Sequence, residues 1–137
     1  MSYLLDTNVL SETRRLNPDP GLREWLSAVP PDRLRVCVLS IGEIQRGITK
    51  LLHRGDHRQA VAFDAWLEEV IEEFTGRLVP VTARVARQWG QQSPAHPVPT
   101  IDALIAATAK VHGWTLVTRN SKDFQHADVT VLNPFAG

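Results

Sequence analysis

Short, unbroken apolar runs alternate along this chain with longer stretches whose apolar residues recur every three or four positions. The first kind of pattern marks buried strands and the second amphipathic helices. Tyr3-Leu4-Leu5 reads as a strand and leads into a short helix from about Asn8. Asp19-Pro20 starts a second helix with Leu22, Trp25, Leu26 and Val29 on one face, and Pro30-Pro31 ends it. Residues 34–39 form a second strand. Ser40 follows as the N-cap of the next helix, with Glu43 at capping-box spacing and Ile41, Ile44, Ile48, Leu51 and Leu52 facing the core. Gly55-Asp56 breaks that helix, and a long one through residues 60–74 sets Val61, Ala65, Trp66, Val70, Ile71 and Phe74 on one side. Leu78-Val79 with Val81 gives a short strand, and Thr82 caps a helix carrying Val85, Ala86 and Trp89. After a proline-rich loop over residues 93–99, Thr100 caps a helix whose stripe is Ile101, Leu104, Ile105 and Thr108. Ala106, Ala107 and Ala109 let this helix lie close to a sheet, and His112-Gly113 stops it. Residues 115–118 and 129–132 are the last strands. Strands apolar on both faces and separated by helices predict an α/β fold: a three-layer α/β/α sandwich on a short-stranded parallel sheet.

Length and charge narrow the picture. The 137 residues suit one domain spanning 1–137, and the 43% apolar fraction supplies a core. Fifteen basic and fifteen acidic side chains cancel, so no partner is selected by gross charge, and a polyanion would have to meet a local basic patch. Cys37 is the lone cysteine and sits in an apolar run, which makes it a buried small hydrophobe in a chain without disulfides. The start of the chain lacks the pattern of a signal peptide, and no apolar run reaches the length of a membrane span. The expectation is a cytoplasmic protein with no membrane partner.

The topology assigns places to the acids. In an open parallel sheet, ligands bind beyond the carboxyl ends of the strands. Asp6 directly follows the first strand, and Glu43 lies in the helix that follows the second. Asp102 is in the first turn of a helix that must run antiparallel to the strand it feeds, so its start lies at the same edge. Asn120 and Asp123 come just after residues 115–118. Taken singly, each has an ordinary role as a turn, cap or helix-dipole residue. Together they form a rim of like charges that repel and raise one another's pKa, and a divalent cation neutralises such a rim. Oxygen ligands without Cys or His select Mg²⁺, with Mn²⁺ able to substitute, and such an ion typically handles phosphates. His53 and His57 are four apart, but Gly55-Asp56 between them argues against a zinc pair; His96, His112 and His126 are scattered and read as surface residues.

Four segments carry a family resemblance. Leu5-Asp6-Thr7-Asn8-Val9-Leu10-Ser11 and Ser40-Ile41-Gly42-Glu43-Ile44 resemble the first two motifs of PIN-domain ribonucleases. The run from Asp102 through Ala109 is similar to their third motif, and Val117-Thr118-Arg119-Asn120 with Asp123-Phe124 to their fourth. The resemblance runs in unbroken order over residues 3–134 and is nearest to VapC/FitB-type toxins of type II toxin–antitoxin modules. It implies Mg²⁺- or Mn²⁺-dependent endonucleolytic cleavage of RNA by a metal-activated water, with Asp6, Glu43 and Asp102 as metal-binding and catalytic acids. Where many relatives carry an acid after Thr-Arg, this chain has Asn120, and Asp123 stands a helical turn further on; either completes the site. Thr7 and Thr118 would order it. The resemblance also implies a cognate VapB/FitA-like antitoxin, a homodimer, and contact with operator DNA only through the antitoxin.

Arg46, Lys50, Arg54 and Arg58 recur every four residues, a solvated face or, with an RNA substrate, a phosphate track; Arg46, Lys50 and Arg119 are the candidate RNA contacts. The four tryptophans sit at core spacings. A phosphatase or receiver-like domain lacks its second aspartate and positioned lysine here. A non-catalytic PIN-fold module binding RNA or antitoxin, and a solitary RNA-processing nuclease, stand as the other readings.

Overall fold

The computed structural model describes residues 1–92 and 94–136. Its five strands are β1 (Tyr3–Leu5), β2 (Leu34–Cys37), β3 (Leu78–Val79), β4 (Thr115–Val117) and β5 (Val131–Leu132). Its six helices are α1 (Thr7–Glu12), α2 (Pro20–Ala28), α3 (Val38–His53), α4 (His57–Glu73), α5 (Ala83–Gly90) and α6 (Thr100–His112). The strands make one parallel sheet in the order β3-β2-β1-β4-β5.

Alternation along each strand builds two cores. In the central strand β1, Leu4 and Leu5 are both buried but face opposite ways. Leu5, Val36 and Val117 pack with Val9, Leu22, Ile48 and Val70 of the helical layer α1–α4. Leu4, Cys37 and Leu116 meet Ile105, Ala106 and Ala109 of α6 on the other face. Ala106 and Ala109 let the α6 backbone approach the sheet, and Gly113, at φ +70°, supplies the left-handed cap that turns the chain into β4. The three-layer sandwich and the all-parallel sheet agree with the expectation from sequence. Among the described residues, no helix is long and apolar enough to cross a membrane.

Several local expectations are corrected. Strand β2 ends at Cys37, and Val38 and Leu39 already belong to α3, whose N-cap is Cys37. Ser40 therefore lies inside the helix and makes no capping box with Glu43. Thr100 is likewise the first residue of α6, after Pro99 as N-cap. The buried line of α4 runs through Ala60, Leu67 and Val70, while Val61 is 68% exposed and Ala65 faces solvent. Only Val85 of α5 is buried; Ala86 is exposed and Trp89 is 41% exposed. Val81 falls outside β3, and Thr118 and Val129 outside β4 and β5. Short amphipathic segments give more than one 3.6-residue register, and packing against the sheet selects one of them. The proline-rich loop begins at Ser93, which lies outside the described residues.

Asp19 ties the chain end to α2. Its Oδ1 accepts the Leu22 N–H (3.1 Å) and the Ala136 N–H (3.0 Å). A Cβ on Gly21 would stand 2.6 Å from the Pro134 carbonyl oxygen and 2.7 Å from the Ala136 nitrogen, both backbone atoms. Gly21→Ala is therefore expected to destabilise by about 1–3 kcal/mol, the usual range for forced overpacking, read as a lower urea midpoint.

Candidate active site

The strand order reverses direction of growth at β1, with β2 on one side and β4 on the other. This switch point opens a crevice at the carboxyl ends of the strands, where parallel sheets bind ligands. Asp6 occupies it. The residue is buried, its N–H bonds to the Val117 carbonyl (3.0 Å), and its Oδ1 accepts the Val9 N–H (2.8 Å) as the N-cap of α1. The Thr118 hydroxyl also bonds this carboxylate and is itself fully buried. Thr118 Oγ1 further accepts the Asn120 N–H (3.1 Å), which fixes the turn after β4.

Glu43 arrives from the second turn of α3. Thr7 Oγ1 donates to its Oε1 (2.5 Å) and lies 2.8 Å from Ser40 Oγ, so α1 and α3 are joined through a hydroxyl pair at the rim. Ser40 is buried for this purpose, a role hidden in sequence because a serine before a helix reads first as a cap. Asp102 stands in the first turn of α6, half-buried. Asp123 lies in the 3-10 turn after β4 and repels Asp102.

The electrostatics register the convergence. The Asp6 carboxyl is raised above its ordinary 3.8, first by burial, with smaller contributions from Asp102 and Glu43; bonds from Thr118 and Val9 pull the other way. Asp102 is raised by burial, then by Glu43 and Asp123. Four acids from separate parts of the chain thus feel one another. Among the described residues, no three His, Cys, Asp or Glu side chains close into a finished metal cage. The donor set fits Mg²⁺ or Mn²⁺ nonetheless, because such ions keep several waters and take only one or two carboxylates directly.

Raised carboxyls give a signed prediction. A folded-state pKa above the unfolded value adds stability that is full below 3.8 and is lost as pH rises through the raised values. In chelator, parent stability should fall over that window relative to Asp102→Asn, whose urea midpoints keep the Asp6 contribution but lack that of Asp102. Parallel pH profiles for the two proteins would contradict a carboxyl of Asp102 raised by burial and by its acidic neighbours.

Asn120 is exposed and faces a polar cleft of about 310 Å³ that also holds Asn8, Arg14, Arg15 and Arg119. Asp123 turns to a smaller recess with Gln92, His96 and His126. The two candidates for the fourth position thus line different clefts, although the Asp123 N–H bonds the Asn120 carbonyl (3.0 Å). Of the basic residues, Arg119 joins this cleft, with its guanidinium 4.7 Å from the Phe135 ring centroid. Arg46 and Lys50 stand exposed on α3. The four-residue stripe breaks after Lys50: α3 ends at His53, Arg54 caps it, Gly55 adopts φ +83°, and Arg58 belongs to α4. The same break places His53 and His57 on different helices. Arg14 and Arg15 carried no signal in sequence beyond their charge; only the fold brings them beside Arg119.

Residues 3–129 match the PIN domain model. The chain belongs to the PIN domain family. Toxin FitB of Neisseria gonorrhoeae is 31% identical over 137 residues, covering 96% of this chain and 97% of FitB. The VapC ribonuclease Y4jK of Sinorhizobium fredii is 26% identical, covering 96% of each. Among solved structures, FitAcB from Neisseria gonorrhoeae superimposes with a TM-score of 0.85 at 32% identity, over 96% of this chain and 97% of that one. A structure of FitAB bound to a DNA fragment gives the same score at 30% identity, covering 96% and 94%. The PIN domain match extends across all four acids and the threonines that hold two of them.

Proposed function

We propose that this PIN domain is the toxin of a toxin–antitoxin pair and acts as a divalent-metal-dependent endoribonuclease. The observation that carries the reading is the meeting of Asp6, Glu43, Asp102 and Asp123 at one sheet edge, with Asp6 and Asp102 pushed toward protonation by their surroundings. The similarity to FitB and to a VapC ribonuclease supports both halves of it. A module that only binds RNA would have no use for a rim so costly to leave uncompensated.

Asp6, Glu43 and Asp102 would hold Mg²⁺ or Mn²⁺, with Asp123 or Asn120 completing the set. The bound ion supplies charge neutralisation at the phosphate and a more acidic water. The chain's own residues do the rest. Thr118 and the Val9 N–H fix the Asp6 carboxylate, and Thr7 fixes that of Glu43, so neither reorganises when substrate arrives. A rim carboxylate takes the proton of the attacking water, the P–O3′ bond breaks, and the departing O3′ is protonated from solvent. The products carry a 5′-phosphate and a 3′-hydroxyl. Arg119, which shares a cleft with Arg14 and Arg15, would bind flanking phosphates, and Arg46 and Lys50 would extend that contact along α3.

FitAB suggests the partner. A small VapB/FitA-like antitoxin would cover the rim, and a guanidinium inserted among the acids would replace the cation's charge. Operator DNA would be contacted through that antitoxin, and the toxin would work as a homodimer. The test is incubation of antitoxin-free protein with RNA in Mn²⁺, Mg²⁺ or chelator, with mapping of the product ends. Cleavage only with metal, leaving 5′-phosphates, is expected. Metal-independent cleavage at the same rate, or 2′,3′-cyclic phosphates, would overturn the chemistry.

A further inference from the structure

A groove of about 290 Å³ opens directly beside the acids, between α1, α3 and α4. Thr7 and Glu43, already bonded to each other, form its inner end. Ile44 and Leu51 give it an apolar floor, and Ser11, Gln59 and Arg54 line it with hydroxyl, amide and guanidinium groups. Phe63 forms part of the wall, and the Arg14 guanidinium lies 3.8 Å from its ring centroid. Gly47 lies on the α3 side, and a Cβ there would meet nothing within 4 Å, so the groove is open where a side chain would otherwise stand.

We infer that this groove receives the RNA base next to the cleaved phosphodiester and sets the nucleotide preference of the cut. The inference rests on the ribonuclease reading. A phosphate seated at Glu43 leaves its neighbouring nucleotide within reach of the groove that Glu43 lines. Single-stranded RNA is read by splaying bases onto aromatic rings and guanidinium planes and by bonding their edges. Phe63, held from outside the groove by the Arg14 guanidinium, supplies a flat surface, and Gln59 and Ser11 supply donors and acceptors for an edge. The groove's volume of about 290 Å³ accommodates one planar base. Ser11 also lines the arginine cleft with Arg14, Arg15 and Arg119, so a strand leaving the groove passes straight to cations for its phosphates. Although most of its lining is apolar, the groove runs from the acids to the arginine cleft, and this continuity favours a nucleotide over an apolar peptide.

The test uses a random-sequence RNA pool cut by the protein in Mn²⁺, with the cut sites sequenced, alongside pool binding to the inactive Asp102→Asn protein. Gln59→Ala should flatten the parent's preference at one nucleotide beside the cut at least about fivefold and leave other positions unchanged. Gly47→Leu should fill the groove, raise KM about tenfold or more with little change in kcat, and weaken pool binding equally when combined with Asp102→Asn. Gly47→Ala, a smaller filling, should lie between, with none of the three variants melting below the parent and both Gly47 variants, freed of a glycine inside α3, melting at or above it. Parent-like rate, preference and RNA affinity in both Gly47→Leu and Gln59→Ala would overturn the proposal. So would loss of capture of a co-expressed antitoxin by Gly47→Leu with RNA affinity unchanged, which would make the groove a protein seat. A parent that cuts no RNA would remove the ribonuclease reading by itself; unchanged pool binding in the Gly47→Leu, Asp102→Asn protein would separately remove the base pocket.

Discussion

Asp6→Asn and Asp102→Asn are each expected to lower RNA cleavage by about 10²–10³ or more, the cost of removing one preorganised charge from a reaction centre. Asparagine isolates the charge. Asp6 also caps α1 through the Val9 N–H at 2.8 Å, and an asparagine oxygen can accept that bond as well, being an equally good N-cap. Asp6→Ala would lose both functions and cost about 1 kcal/mol of stability on the cap alone. The asparagine variants should be at least as stable as the parent in chelator at neutral pH, because each relieves repulsion on a carboxyl that burial and its neighbours already penalise. Lower activity with equal or higher denaturation midpoints would separate a chemical role from a structural one. Cleavage at the parent rate by both variants would remove the acids from the active site.

Asp123→Ala and Asn120→Ala should part ways. Asp123 acts on the Asp102 carboxyl, whereas Asn120 shares the cleft of Arg14, Arg15 and Arg119. Asp123→Ala is therefore expected to reduce kcat by about 10–100-fold, the usual cost of losing a group that tunes a metal site. Asn120→Ala should leave kcat near the parent value and act on KM. Steady-state kinetics on one RNA substrate distinguishes the two, and the reverse pattern would assign the fourth position to Asn120.

The layers of the fold were legible because strand and helix periods differ and the strands are apolar on both faces, as in Tyr3-Leu4-Leu5. The rim was legible from topology alone: an acid after β1, another in the helix after β2, and one starting α6 must share an edge of a parallel sheet. Local registers were less so. Val38 and Leu39 look like strand continuation, yet they open α3, and this shift turns Ser40 from a cap into the buried partner of Thr7. The break at Gly55-Asp56 was legible, and it divides the basic stripe: a left-handed Gly55 puts Arg46 and Lys50 on α3 and Arg58 on α4. Arg14, Arg15 and Phe63 are set around the site by tertiary packing, which spacing along the chain does not encode.

The proposed property of the rim is that its carboxylates together hold a divalent cation. Its most direct test is a titration of Mn²⁺ into metal-free parent, Asp6→Asn and Asp102→Asn proteins, followed by calorimetry or by the electron-spin signal of free Mn²⁺. Saturable binding to the parent that is lost or strongly weakened in both variants is the expected result, with a rise in thermal stability on Mn²⁺ addition that the variants do not share. Equal Mn²⁺ binding by all three proteins would contradict it.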